Sequence, residues 1–143
     1  MRATRDRVAN RKIRIFICNR YALFRAGVKA LLRKRPLFQI VGEAGTVRGT
    51  VKQVQRLKPD IVLMGEAERD WSIAEVTRCI KTINPDVKVL VLNLSDDPRL
   101  LSGCLDAGAS GYIRKDDDAS QLRSAIGAAC SKNGHGHLKA FVA

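Results

Sequence analysis

Lys58-Pro59-Asp60-Ile61-Val62-Leu63-Met64-Gly65-Glu66 is the stretch on which the fold turns. Ile61 to Met64 are apolar without interruption, between a Pro-Asp pair and a glycine. A run this short, bounded by turn residues, reads as a strand. A strand with no polar residue inside it is buried on both faces, the condition of a parallel sheet covered by helices on each side.

The same unit recurs on both sides of this run. Upstream, Ile13 to Cys18 is a β-branched apolar strand, and Leu23 to Arg33 carries Phe24, Val28, Leu31 and Leu32 at helical spacing. Phe38 to Val41 is a second strand, closed by Gly42, and Val47, Val51 and Val54 mark a second helix that ends before Pro59. Downstream, Ile73, Val76, Ile80 and Ile83 predict a third helix that stops before Pro85, and Val87 to Leu92 a fourth strand. Asp97 is the expected N-cap of a fourth helix, with Pro98 in its first turn and its end near Gly108. Gly111 to Arg114 is a fifth strand. Asp116, Asp117 and Asp118 cap a last helix with the stripe Leu122, Ile126 and Ala129. Strand and helix alternating with short connections imply a parallel sheet with helices on both faces.

The chain has 143 residues, suited to one domain, and 45% are hydrophobic, enough for an ordinary core. Residues 1–12 read as a basic N-terminal arm, 13–130 as the domain, and 131–143 as a tail or the start of a linker. No apolar run approaches the roughly 18 residues of a membrane span, and the N-terminus lacks the apolar core of a signal peptide. The expected location is the cytoplasm, with no membrane partner. Cys18, Cys79, Cys104 and Cys130 each fall in or beside an apolar segment and read as reduced core thiols. His135 and His137 lie in a glycine-rich tail and read as tail rather than metal ligands.

Lys and Arg number 26 against 14 Asp and Glu, a net charge of +12. From Arg11 to Arg35 nine basic residues occur, and no carboxylate appears before Glu43. Arg25, Lys29 and Arg33 repeat at i, i+4 and i+8 and share one helix face, beside the apolar face. Either that face is solvated, or it meets an acidic surface: a second copy near Asp96, Asp97 and Asp106, or DNA phosphate.

In open α/β sheets the chemistry lies beyond the carboxyl ends of the strands. Segments spread over residues 13–130, Ala22-Leu23-Phe24-Arg25, Val41-Gly42-Glu43-Ala44, Lys58 to Met64, Asn84 to Leu92 and Ala107 to Asp116, closely resemble the CheY-like receiver domains of LuxR-type (NarL/FixJ-like) response regulators. The resemblance implies a flavodoxin-like three-layer sandwich with a five-stranded parallel sheet in the order 2-1-3-4-5. It also implies a phosphorylation pocket. In the family an acidic pair after the first strand and an aspartate after the third hold Mg²⁺, and the latter aspartate accepts the phosphoryl group. A Thr or Ser after the fourth strand and a Lys after the fifth bind its oxygens.

Carried over by position, the acidic pair falls on Asn19 and Arg20, the acceptor on Gly65, and the Thr/Ser position on Asn93. Lys115 remains, with Tyr112 at the switch-aromatic position. The family pocket has three carboxylates and one lysine. This one has Arg20 and Lys115 with no matched carboxylate, which repels a dication. Two like charges at about 4 Å cost about 4 kcal/mol at an effective dielectric near 20. Loss of aspartyl phosphorylation is therefore expected, with no cofactor and no Mg²⁺. The rewritten loop after the third strand supplies Glu66, Glu68 and Asp70, any of which could form an ion pair with Arg20 or Lys115, and Trp71 as a contact residue or a partly buried aromatic. Tyr112 is expected in a fixed orientation.

No Ser/His/Asp, Cys/His or metal constellation suggests an enzyme. The expected function is an atypical receiver, independent of phosphorylation, that serves dimerisation or partner contact in a transcription regulator. Its DNA-binding helix-turn-helix domain would follow residue 143. The alternatives are a stand-alone protein-interaction module and a ligand sensor binding an anion in the basic pocket.

Overall fold

The computed structural model describes residues 11–93 (of Asn93, the backbone alone), 97–114 and 117–131. The elements are β1 (Ile13–Cys18), α1 (Ala22–Leu32), β2 (Phe38–Ala44), α2 (Val47–Leu57), β3 (Ile61–Met64), α3 (Ile73–Ile83), β4 (Lys88–Asn93), α4 (Pro98–Asp106), β5 (Gly111–Arg114) and α5 (Ala119–Ala129). The five strands form one parallel sheet in the order β2-β1-β3-β4-β5. The flavodoxin-like sandwich and its strand order are therefore as expected.

Alternation along the strands divides the core into two layers. Ile15, Ile17, Ile61, Leu63, Leu90, Leu92 and Ile113 face Val28 and Leu32 of α1 and Leu122, Ala125 and Ile126 of α5. Phe16, Cys18, Val62, Met64, Val89, Val91 and Tyr112 face the other way, onto Val54 of α2, Val76 and Ile80 of α3 and Cys104 of α4. Three helices thus cover one face and two the other. Ile61 to Met64 are all fully buried, as their unbroken apolar character required.

The second strand runs past its expected end. Gly42 lies inside β2, where the register with β1 shifts between Ile15 and Phe16. A Cβ at Gly42 would stand 3.0 Å from the Phe16 ring and 3.0 Å from Leu57 Cδ1. Glycine there admits the Phe16 ring and does not end the strand.

Helix starts follow their capping residues. Asp97 accepts from Arg99 N–H, with Pro98 opening α4, as expected. Asp118 and Gln121 form a reciprocal capping box on α5, while Asp117 accepts from Arg114 N–H. Ser72 and Glu75 form a second box on α3. The turn from α4 into β5 passes through Gly108 at φ +110°, a conformation that favours glycine. Arg11, in the expected arm, forms an ion pair with Asp60. No described helix is long and apolar enough to cross a membrane. All four cysteines are free, and burial pushes the Cys18 and Cys130 thiols up to about 11, so both stay protonated and inert at neutral pH.

Candidate functional site

The site lies where β1 and β3 end side by side. Cys18 pairs with Met64 at the end of the ladder, so the next residues, Asn19 and Gly65, are neighbours. Gly65 N–H donates to Cys18 O at 2.7 Å, and Arg20 N–H donates to Glu66 O at 2.6 Å. These bonds carry the pairing one residue beyond the strands and draw the two loops together.

Asn19 is buried, 5% exposed. Its Oδ1 accepts from Tyr21 N–H at 2.8 Å, an Asx-type turn that leads the chain into α1. Its amide nitrogen lies over the α-carbon of Gly65. A Cβ added at Gly65 would fall on Asn19 Nδ2, with Asn19 Cγ at 3.2 Å and Cys18 O at 3.5 Å. Two of the residues singled out from sequence are thus packed against each other, and the absence of a side chain at position 65 is what the packing requires.

Arg20 turns its guanidinium toward the exposed Tyr21 ring, 5.1 Å from its centroid. Among the described residues no ion pair joins Arg20 to Glu66, Glu68 or Asp70. Glu68 has a different task. Its Oε1 accepts from Val47 N–H at 2.8 Å, so it caps the first turn of α2 together with Thr46, whose hydroxyl accepts from Gly49 N–H at 3.0 Å. An anionic oxygen at a helix N-terminus satisfies an orphan donor and the helix dipole together. Glu66, Asp70 and Trp71 are exposed. Tyr112 is buried among Val91, Cys104 and Met64 in the three-helix layer. Lys115, like Asp96, Asp116, His135 and His137, lies outside the described residues, as does the side chain of Asn93.

The basic face is corrected in part. Arg25 Nε donates to Glu43 Oε1 at 2.8 Å, and Lys29 pairs with Glu43 Oε2. Arg25 Nη1 also donates to Asn19 O at 2.6 Å. Hydrogen bonds from Lys29 and Arg25 hold the Glu43 carboxyl below the usual carboxylate range. The acid that answers these two cations is in the same chain, on the neighbouring strand β2, so of the three only Arg33 is left as an exposed charge at the end of α1. The spacing of Arg25 and Lys29 put them on one face. The β1–α1–β2 crossover sets that face against Glu43, which could have been read from sequence once the strand order was in hand.

A family model of the response regulator receiver domain matches residues 15–127. The transcriptional regulatory protein DegU of Brevibacillus brevis is 37% identical over 121 residues, 85% of this chain and 51% of that protein. The response regulator GacA of Pseudomonas viridiflava is 30% identical over 114 residues, 80% of this chain and 53% of that protein. The chain therefore spans about half the length of these curated relatives. Among solved structures, the response regulator domain of Thermotoga maritima CheB superposes with a TM-score of 0.77 at 22% identity, covering 84% of this chain and 97% of that one. The receiver domain of Mycobacterium tuberculosis NarL does so with 0.75 at 24%, covering 81% and 94%. At such identities these neighbours speak for the fold.

Proposed function

The chain belongs to the response regulator receiver domain family, and from that premise we propose that it is a receiver whose signalling does not pass through an aspartyl phosphate. The observation that carries this reading is the packing of Asn19 against Gly65. The position matched to the acceptor has no side chain, and the space one would need is filled by a residue bonded in place. Magnesium takes hard oxygen ligands, carboxylates among them. The matched positions offer Asn19, whose Oδ1 is committed to Tyr21 N–H, the cationic Arg20, and Gly65. That set does not fit the ion.

A receiver without the covalent switch transmits by protein contact. We place it in a transcription regulator, as its likeness to DegU, a transcriptional regulatory protein, suggests, with a DNA-binding domain beyond residue 143 and with dimerisation or partner contact as its own task. Binding of an anion in the basic pocket is the weaker reading, because Arg20, one of its two cations, turns its guanidinium toward the Tyr21 ring. The experiment that tests the proposal is exposure to a small-molecule phosphodonor with Mg²⁺, read by intact mass: no phosphoryl adduct is expected. A coding sequence that continues past Ala143 into a helix-turn-helix domain would support the assignment to a transcription regulator.

A further inference from the structure

We propose that the end of the molecule at which the strands begin binds the phosphate backbone of duplex DNA, without regard to sequence and in addition to whatever a following DNA-binding domain reads. The choice of DNA as the partner rests on the reading above, of a transcription regulator. The distribution of charge stands without it.

The parallel strands all start at one end, and the helices return to it. Backbone bonds join neighbouring strand starts: Ile13 N–H donates to Leu37 O at 2.8 Å, Asp60 N–H to Arg14 O at 2.9 Å and Lys88 N–H to Asp60 O at 3.0 Å. Onto this end fall Arg11, Lys12 and Arg14 around the start of β1, and Arg33, Lys34 and Arg35 in the turn from α1 to β2. Arg56 and Lys58 close α2, Lys81 lies in the last turn of α3, and Lys88 opens β4. Among the described residues the acids at this end are Asp60, Asp86 and Asp106. The opposite end carries most of the remaining acids: Glu66, Glu68 and Asp70 follow β3, and Asp97, Asp117 and Asp118 stand at the starts of α4 and α5.

Ordinary local roles account for part of the basic charge. A cation in a helix's last turn answers the helix dipole, which explains Arg56 and Lys81; the Lys81 ammonium also donates to Pro85 O and Val87 O, both at 2.7 Å. Arg11 pairs with Asp60, and Arg14 Nη1 donates to Lys58 O at 2.9 Å. Lys12, Arg33, Lys34, Arg35, Lys58 and Lys88 are left, none in an ion pair among the described residues. All but Lys88 are exposed. These cations also crowd one another: burial, and then the neighbouring Lys88, hold the Lys81 ammonium below its ordinary value.

Unpaired Lys and Arg gathered on one face are the electrostatic footprint of a polyanion. The exposed aromatics, Tyr21 and Trp71, lie at the other end, so the basic end offers no platform on which single-stranded bases would stack. An acidic far end turns the basic end toward the duplex during approach. A recess of about 460 Å³ opens on this end, lined in part by Lys12, Lys58, Lys88 and Cys130. Cys130 follows α5, so a domain attached after that helix starts from the basic end. Tethering to a DNA-bound domain raises the local concentration of duplex that these cations meet.

The test is fluorescence anisotropy of a short labelled duplex of arbitrary sequence, titrated with the whole chain between about 50 and 200 mM salt. The wild type is expected to bind with a dissociation constant on the order of 10⁻⁵ M at physiological salt, and log affinity to fall with log salt at a slope of about −4. Arg33→Glu, Lys34→Glu, Arg35→Glu together should weaken binding at least about tenfold and make the slope shallower by about 2. The neutral triple Arg33→Gln, Lys34→Gln, Arg35→Gln should show a smaller loss in the same direction. Arg69→Glu, Arg78→Glu, Arg99→Glu, with the same net charge as the first triple, should stay within about twofold of the wild type. All six positions are exposed, and thermal unfolding checks that each variant folds. A wild type that does not bind at the lowest salt, or equal losses in the two reversals, overturns the proposal. So does tighter binding to anionic lipid vesicles or to single-stranded DNA than to the duplex. The coding sequence past Ala143 reads the underlying assignment separately. Absent duplex binding where a helix-turn-helix domain follows removes this inference alone. Duplex binding where no such domain follows keeps the surface and removes the transcription regulator.

Discussion

Asn19 stands in the space that any side chain at position 65 would need. A Cβ built on Gly65 falls on Asn19 Nδ2 and 3.2 Å from Cγ. The amide cannot simply swing away, because Oδ1 holds Tyr21 N–H and launches α1, while the Asn19 carbonyl accepts from Arg25. Gly65→Ala should therefore lower stability by about 1–3 kcal/mol, the usual range for overpacking a close-packed site. Asn19→Ala removes the obstruction but leaves Tyr21 N–H without its partner, a loss of about 1 kcal/mol. In the double variant the two losses should fall well short of additive. Urea unfolding of the four proteins measures this, and strictly additive losses would refute the steric pairing.

Restoring the acceptor alone should not restore chemistry. Gly65→Asp meets the same Asn19 amide and leaves Arg20 where the family has an acid. The triple change Asn19→Asp, Arg20→Asp, Gly65→Asp puts a carboxylate at each of the three matched positions and should bind Mg²⁺ at least weakly, seen as a metal-dependent rise in thermal midpoint. Efficient phosphorylation of the Gly65→Asp single variant would show that Asn19 and Arg20 do not matter.

Glu43 ties α1 to β2 through Arg25 and Lys29. Its carboxyl is held below the ordinary value in the folded state, by those two partners. A depressed folded-state value gives stability that is present above the unfolded carboxylate range and is lost as pH falls through the folded value. Glu43→Gln should thus destabilise the protein at neutral pH by about 1 kcal/mol, the scale of two partly exposed pairs. The gap from wild type should close in acid. A gap that persists unchanged below the titration of Glu43 would contradict the ion-pair account.

Glu68 should behave as a helix cap. Glu68→Ala leaves Val47 N–H without its acceptor and should cost about 1 kcal/mol, as other N-terminal caps do. Because Glu68 does not pair with Arg20, the loss should be the same in an Arg20→Ala background. Denaturant unfolding of the four proteins decides, and a Glu68 effect that vanishes without Arg20 would restore the ion pair in the pocket.

What was legible from sequence follows from what periodicity records. Ile61 to Met64 displayed their double-sided burial in their composition, and Asp97-Pro98 and the aspartates before Ala119 announced two helix starts. The end of β2 was misplaced because a glycine reads as punctuation, whereas Gly42 is a concession to the Phe16 ring, a long-range contact with no local signature. Position by position, Asn19 and Gly65 could be singled out as departures from a pattern. That each fits the space left by the other requires coordinates. Glu68 was read as a charge in a loop and not as the cap of α2, because its acceptor role bridges 21 positions of sequence. The basic face was overcounted for a related reason. Like charges on one helix are visible at once, while the acid that answers them lies on a strand whose placement depends on topology.

The most direct measurement is intact mass after incubation of the whole chain with acetyl phosphate and Mg²⁺, beside a phosphorylatable receiver treated identically. The account predicts no acid-labile phosphoryl adduct and no Mg²⁺-dependent change in thermal midpoint, because position 65 carries no side chain and Asn19 fills its place. Stoichiometric, acid-labile gain of one phosphoryl group would contradict it.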